Sequence, residues 1–141
     1  MDRYNEYKDS GIQWIGEIPS HWNAVPIKRI AIFSPKKKRF LADDEWVGYA
    51  PMERIRCCNM TPTKIQVKKL STGLTYFEEG DIVMAKVTPC FENGNTAIVP
   101  KMVNKFGYGS SELFVYRCKD IVNKYYLLFN LINQSFTCWR N

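Results

Sequence analysis

The constraint that most limits this chain lies in its middle, where a Gly80-Asp81 turn signal opens a short apolar run. Glycine and aspartate favour turns because one reaches positive φ without penalty and the other bonds its own backbone. Ile82 to Val87 carries one cation, Lys86, and fits a largely buried strand. Pro89 ends it, since proline cannot donate to a strand ladder. Glu92-Asn93-Gly94-Asn95 is a second turn, with Asn-Gly a strong hairpin signal. Thr96 to Val99 reads as a second strand and Glu112 to Cys118 as a third. The expectation is a small sheet joined by polar, glycine-rich loops.

Residues 100–111 read as one of those loops, with Lys101, Lys105, Gly107 and Gly109. The glycines permit positive φ or the close approach of another backbone. Asp120 to Phe136 is the one convincing helix, with Asp120 as N-cap. Ile121, Tyr125, Leu128 and Ile132 mark one face; Val122, Tyr126 and Phe129 broaden it. So broad an apolar face implies a helix packed on the sheet or awaiting a partner. Fold class is therefore mixed α/β (α+β): a small twisted sheet with a packed C-terminal helix.

At 141 residues the chain is long enough for one core, and 45% apolar content argues against a disordered tail. The net charge of +6 suits a polyanionic partner, and equally a merely soluble basic protein. Five cysteines with no Cys-x-x-Cys pair, and His21 as the only histidine, make a metal site unexpected. Free buried thiols in a reducing cytoplasm are the better reading. No apolar run approaches the roughly 20 residues of a membrane span, and Met1-Asp2-Arg3-Tyr4 begins no signal peptide.

Residues 1–22 form a polar and aromatic N-terminal arm without helical or strand period, and Tyr4, Tyr7, Trp14 and Trp22 are expected to pin it across the body of the domain, residues 23–141. Asn23 to Phe33, bounded by Pro26 and Pro35, suggests an edge strand. Lys36, Lys37, Lys38 and Arg39 are the densest positive run. They belong on a solvated loop, or on one that contacts phosphates. Trp46 to Pro51 reads as a strand. Arg54 and Arg56 flank Ile55, which puts both guanidinium groups on one face of an extended segment. Such arginines can read guanine or pair with a nearby acid such as Glu53. Lys64, Ile65, Gln66, Val67 and Lys68 alternate strictly, presenting Lys64, Gln66 and Lys68 to DNA or to plain solvent; Lys69 follows them.

No phosphate loop and no Asn-Pro-Pro-Tyr string occurs, and no second histidine can serve a serine or cysteine. Asp81, Lys86 and Glu92 could be forced into a nuclease-like set, yet a turn and a packed strand explain them better. No catalytic residue is expected.

The central stretch resembles the target recognition domain of the specificity subunits of type I restriction–modification enzymes. That family shows an aromatic, a Gly-Asp turn, then Lys-Ile-Thr-Pro-Cys-Phe-Glu-Asn-Gly-Lys, and later Gly-Ser-Thr-Glu-Phe. The matching residues are Phe77, Gly80-Asp81, Lys86-Val87-Thr88-Pro89-Cys90-Phe91-Glu92-Asn93-Gly94-Asn95 and Gly109-Ser110-Ser111-Glu112-Leu113. Tyr7 to Ile12 and Trp14 to Trp22 match the family's opening. The departures are Asn95 for lysine, Ser111 for threonine and Leu113 for phenylalanine; the first removes a cation from the turn.

The resemblance implies a non-catalytic bacterial or archaeal subunit that binds double-stranded DNA, reading one half of a split target. The methyltransferase and restriction subunits would be its partners and the cytoplasm its location, with no cofactor and no membrane. Candidate DNA contacts are Lys36, Lys37, Lys38, Arg39, Arg54, Arg56, Lys64, Gln66, Lys68 and Lys69. The motif residues Gly80, Asp81, Lys86, Thr88, Pro89, Cys90, Phe91, Glu92, Asn93 and Gly94 are read as architectural. Family members continue with further strand, a proline-rich link and a spacer helix, so the stop at Asn141 reads as a C-terminal truncation. A weak homodimer, or a protein-interaction module for the methyltransferase subunit, is the alternative expectation. A degenerate specificity-subunit fragment is a third.

Overall fold

Twelve short strands and one helix run through the residues that this computed structural model describes, 4–37, 40–86 and 94–132. The strands are β1 (Tyr7–Asp9), β2 (Glu17–Pro19), β3 (Ala31–Phe33), β4 (Trp46–Ala50), β5 (Ile55–Arg56) and β6 (Asn59–Met60). They continue with β7 (Thr63–Gln66), β8 (Thr75–Glu78), β9 (Ile82–Ala85), β10 (Thr96–Ile98), β11 (Phe106–Gly109) and β12 (Leu113–Cys118), before helix α1 (Lys124–Ile132).

There are two four-stranded sheets, not one. The first runs β10-β9-β12-β3, all antiparallel, with β3 on the expected edge. The second runs β7-β4-β11-β8, antiparallel except for the parallel β4–β11 pair. The two sheets and the helix stack as three layers, with the first sheet in the middle. This explains β9, whose four residues are all buried. Alternate side chains serve opposite faces. Val83 joins Ala50, Phe77, Val99, Leu113 and Val115 between the sheets, while Ile82 and Met84 meet Leu127, Leu128 and Leu131 of α1. Fully burying a side chain such as Phe77 contributes about 1.5–3 kcal/mol. Ile55 and Met60, from the β5–β6 hairpin, close the end of the inter-sheet core.

Several sequence expectations change. Residues 100–111 are not a loop: Val103–Lys105 is a 3₁₀ turn and Phe106–Gly109 is a central strand. Gly107 and Gly109 are there for close approach. A Cβ on Gly107 would sit 2.5 Å from the Gly48 carbonyl oxygen, and one on Gly109 2.6 Å from that of Ala50. The arm contains an antiparallel ribbon, β1 with β2. Its aromatics pack on one another, with Tyr4 5.3 Å from His21 and 5.7 Å from Trp22 between ring centroids.

The helix starts at Lys124, not beside Asp120. Asn123 caps it, its Oδ1 accepting the Tyr125 N–H at 2.8 Å. Its buried stripe is Leu127, Leu128 and Leu131, whereas Ile121, Tyr125, Tyr126 and Phe129 are exposed. The expected stretch from 133 to 136 lies outside the described residues. The Lys64–Lys68 alternation breaks after Gln66, where Val67–Lys69 becomes a 3₁₀ turn. Strand β9 ends at Ala85, one residue before Lys86. Among the described residues, no helix is long and apolar enough to cross a membrane.

Candidate nucleic-acid interface

The central turn is a locked structural unit. Gly80 adopts φ +86 and Asp81 is almost fully buried, its backbone N–H donating to the Glu78 carbonyl. One Asp81 carboxylate oxygen accepts the Glu78 N–H at 2.9 Å. The carboxylate also takes a two-pronged grip from Arg117, Nε at 2.8 Å and Nη2 at 2.9 Å. Arg117 Nη2 further lies 2.5 Å from Glu78 Oε2. The hydrogen bonds to Asp81 raise the Arg117 pKa above its ordinary value, against the opposing effect of burial. The turn reading of Asp81 was therefore incomplete, and Arg117 was missed. The pair spans 36 residues, which no local pattern reveals.

These groups border an open cleft of about 550 Å³ lined also by Glu79, Cys118, Lys119, Asp120 and Lys124. Burial, helped by Asp81 and opposed by Lys124, pushes the Cys118 thiol pKa up. Glu79 is occupied as well, its Oε1 accepting the Met102 N–H at 2.7 Å. Acids already committed to backbone and to arginine make poor general bases. Among the described residues no three histidine, cysteine or acidic side chains cluster to hold a metal.

The nominated cations fall into four groups. Lys36 and Lys37 are exposed, and Lys37 Nζ lies 4.9 Å from the Phe40 ring centroid and 5.4 Å from that of Tyr108. Tyr108 stands abreast of Tyr49 and Tyr76 on the face of the second sheet that looks away from the core. Lys38 and Arg39 lie outside the described residues. Arg54 and Arg56 are exposed around buried Ile55, as alternation requires, with Arg54 in a 3₁₀ turn and Arg56 at the end of β5. Among the described residues neither pairs with Glu53 or another acid, and the Arg56 guanidinium donates to the Ile55 carbonyl at 3.2 Å.

Lys64 lines a groove of about 520 Å³ with Lys101, Met102 and Val103. It projects to the Met102 side of the second sheet, opposite the tyrosine row beneath Lys37. Lys68 and Lys69 sit on the following 3₁₀ turn, beside an acidic stretch. The Lys68 N–H donates to the Asp43 carbonyl at 2.9 Å, and the half-buried Gln66 gives its amide to the Asp44 carbonyl at 3.3 Å. Gln66 is thus already engaged within the fold.

Of the motif residues, Thr88, Pro89, Cys90, Phe91, Glu92 and Asn93 lie outside the described residues. Gly94 is left-handed at φ +69, and Asn95 after it is buried. Lys86 is exposed, its Nζ donating to the Ser111 carbonyl at 3.1 Å and lying 5.3 Å from the Phe114 ring centroid. The cysteine expectation also changes: Cys57 and Cys58 are free but exposed, and Cys118 is half-buried.

Fold and surface together define a mixed α/β domain whose described ion pairs gather Arg117, Asp81 and Glu78 at one turn, with exposed cations on other turns and strands. No protein-family profile matches the chain. It is 38% identical over 125 residues to the type I restriction enzyme EcoAI specificity subunit of Escherichia coli, covering 85% of this chain and 21% of that protein. To the EcoEI specificity subunit of the same organism it is 33% identical over 120 residues, covering 82% and 20%. The chain thus spans about a fifth of the length of these curated relatives. The crystal structure of the HsdS subunit from Thermoanaerobacter tengcongensis has the same fold over 81% of this chain and 30% of that one, at 18% identity and a TM-score of 0.63. A chain from a structure of a type I restriction–modification system, determined for its complex assembly and conformational transition, matches with the same coverage and a TM-score of 0.62. The chain belongs to the family of type I restriction enzyme specificity subunits and corresponds to one segment of them.

Proposed function

We propose that this chain is a target recognition domain that binds one half of a bipartite double-stranded DNA target, without catalysis of its own. Residues 23–141 form the recognition domain and residues 1–22 its arm. The methyltransferase and restriction subunits are its protein partners, in the cytoplasm. One observation carries the reading beyond kinship. Lys36, Lys37, Arg54, Arg56 and Lys64 are exposed, and among the described residues none has a carboxylate partner. Free cations on turns neutralise phosphates and set position, while the arginines are suited to base edges. The motif from Lys86 to Gly94 is architectural in this reading.

The test is selection from a random duplex library by the 141-residue chain, with and without the methyltransferase subunit. Enrichment of one short half-site supports the reading; retention of no DNA in either arm overturns it.

A second reading, association through protein surfaces, draws on a separate observation. Ile121, Tyr125, Tyr126 and Phe129 leave an exposed apolar patch on and before α1. Patches of that kind favour contact with another chain, a second copy included. A sizing column read across concentration tests it; a monomer at every concentration removes self-association.

A further inference from the structure

The tip of the β5–β6 hairpin carries chemistry that DNA binding does not use. Arg56 pairs with Asn59, so Cys57 and Cys58 are the two turn residues between the strands. Both thiols are free and exposed, and their sulfurs lie 3.7 Å apart. Adjacent side chains on an extended chain point to opposite sides. Here Cys58 takes φ +65, which brings the second thiol round toward the first. That conformation costs an L residue roughly 1–2 kcal/mol. The Cys58 N–H holds it in place by donating to the Thr96 carbonyl at 2.8 Å, so the tip is fastened to β10 of the first sheet.

We propose that Cys57 and Cys58 form a two-sulfur chelating site for a soft trivalent metalloid centre, of the organoarsenical class. Thiolates select soft centres. Among the described residues no further cysteine, histidine or carboxylate forms a cluster with them, and two sulfurs are half of the four ligands that a structural zinc ion takes. A single atom held by two sulfurs fits the gap better than a direct sulfur–sulfur bond. A disulfide needs the sulfurs at about 2.05 Å and Cα atoms usually 4.4–6.8 Å apart, whereas neighbouring Cα atoms are held at about 3.8 Å. Burial and the neighbouring thiol also raise the Cys58 pKa, which lowers its reactivity in disulfide exchange.

The step balances without any redox partner. An arsenoxide, R–As=O, loses its oxygen and gains two As–S bonds. The two thiol protons leave with that oxygen as water, and arsenic stays trivalent. The product bridges the tip of the hairpin that carries Arg54 and Arg56, beside Gly94, where a Cβ would lie 4.0 Å from Cys57 Sγ.

The experiment treats the reduced 141-residue protein with phenylarsine oxide and reads intact mass and affinity. A one-to-one adduct with loss of water is expected. Excess dithiol should strip it and excess monothiol should not. Cys57→Ser and Cys58→Ser should each weaken binding by about 10²-fold or more, the scale on which a tethered second contact adds to a first. Cys118→Ser should bind as the parent does. Parent-like affinity in either single-serine variant overturns the proposal, and so does stripping of the parent adduct by monothiol, which needs no variant to fold.

Discussion

Two regions of this molecule treat charge in opposite ways. At the Gly80–Asp81 turn a carboxylate is buried, gripped by Arg117 through two hydrogen bonds and tied to the backbone of Glu78. Around the second sheet and the β5–β6 hairpin, Lys36, Lys37, Arg54, Arg56 and Lys64 are exposed, and among the described residues they have no acidic partner. The inner charges lock β12 to the β8–β9 turn: removing Arg117 leaves Asp81 and Glu78 without their cation, and removing Asp81 leaves Arg117 with Glu78 alone. The outer charges do little for stability and remain available to a polyanion. Substitutions in the two regions should therefore separate folding from binding.

The sharpest break in that contrast is Asp81→Asn. It leaves the half-buried Arg117 guanidinium with an amide in place of one of its two carboxylates, Glu78 being the other. Breaking a buried pair from one side costs about 3–5 kcal/mol when the remaining charge has no other partner, so with Glu78 still on Arg117 the loss should fall at the low end, about 3 kcal/mol, read as a lower urea midpoint. A loss under about 1 kcal/mol would place Asp81 with the weak surface ions instead.

Next in size is Gly107→Ala. The added methyl would meet the Gly48 backbone at 2.5 Å, and backbone cannot swing aside as a side chain can. Overpacking of this kind costs about 1–3 kcal/mol, again read by urea unfolding. A variant as stable as the parent would show that the β4–β11 pair has room to spread.

Gly94→Val follows, at about 1–2 kcal/mol. A Cβ there meets only ordinary contacts, Ile132 at 3.8 Å and Cys57 at 4.0 Å, so the cost comes from φ +69 alone. If the variant keeps parental stability but loses DNA, the turn is a contact and not a scaffold.

These variants also mark where the sequence was legible. Strands β9, β10 and β12 announced themselves, because an apolar run between turn residues has few other folds open to it. Gly94 did too, because Asn-Gly is a local signal. Strand β11 stayed hidden: Phe-Gly-Tyr-Gly lacks the side chains that mark a strand, and its glycines answer to the Gly48 and Ala50 backbones, about 60 positions earlier. Arg117 was equally invisible, since its role exists only once β12 lies beside the Gly80 turn. Among the described site residues, exposure of the lysines and arginines followed from their charge. Gln66 did not follow, because its engagement depends on Asp44, brought near by the β4–β7 pairing.

The smallest expected change in stability belongs to the basic loop, and it tests the outer half of the contrast. Lys36 makes no charge or ring contact among the described residues, so Lys36→Ala should shift stability by less than about 0.5 kcal/mol. Lys37 sits over the Phe40 and Tyr108 rings, so Lys37→Ala should cost somewhat more, about 0.5–1 kcal/mol. On DNA the order need not follow stability. Each lysine that neutralises a phosphate releases counterions, so its loss should flatten the plot of log affinity against log salt by about 0.9. Replacing Lys36, Lys37 and Lys38 together should flatten it by up to about 2.7 on that basis, and weaken binding to every duplex alike. Base preference should stay unchanged, because phosphate contacts carry no sequence information. An unaltered slope with unaltered affinity would remove this loop from the interface and leave the Arg54–Arg56 hairpin and the Lys64 groove to carry it. A changed base preference would mean that the loop enters a groove and is not confined to the backbone.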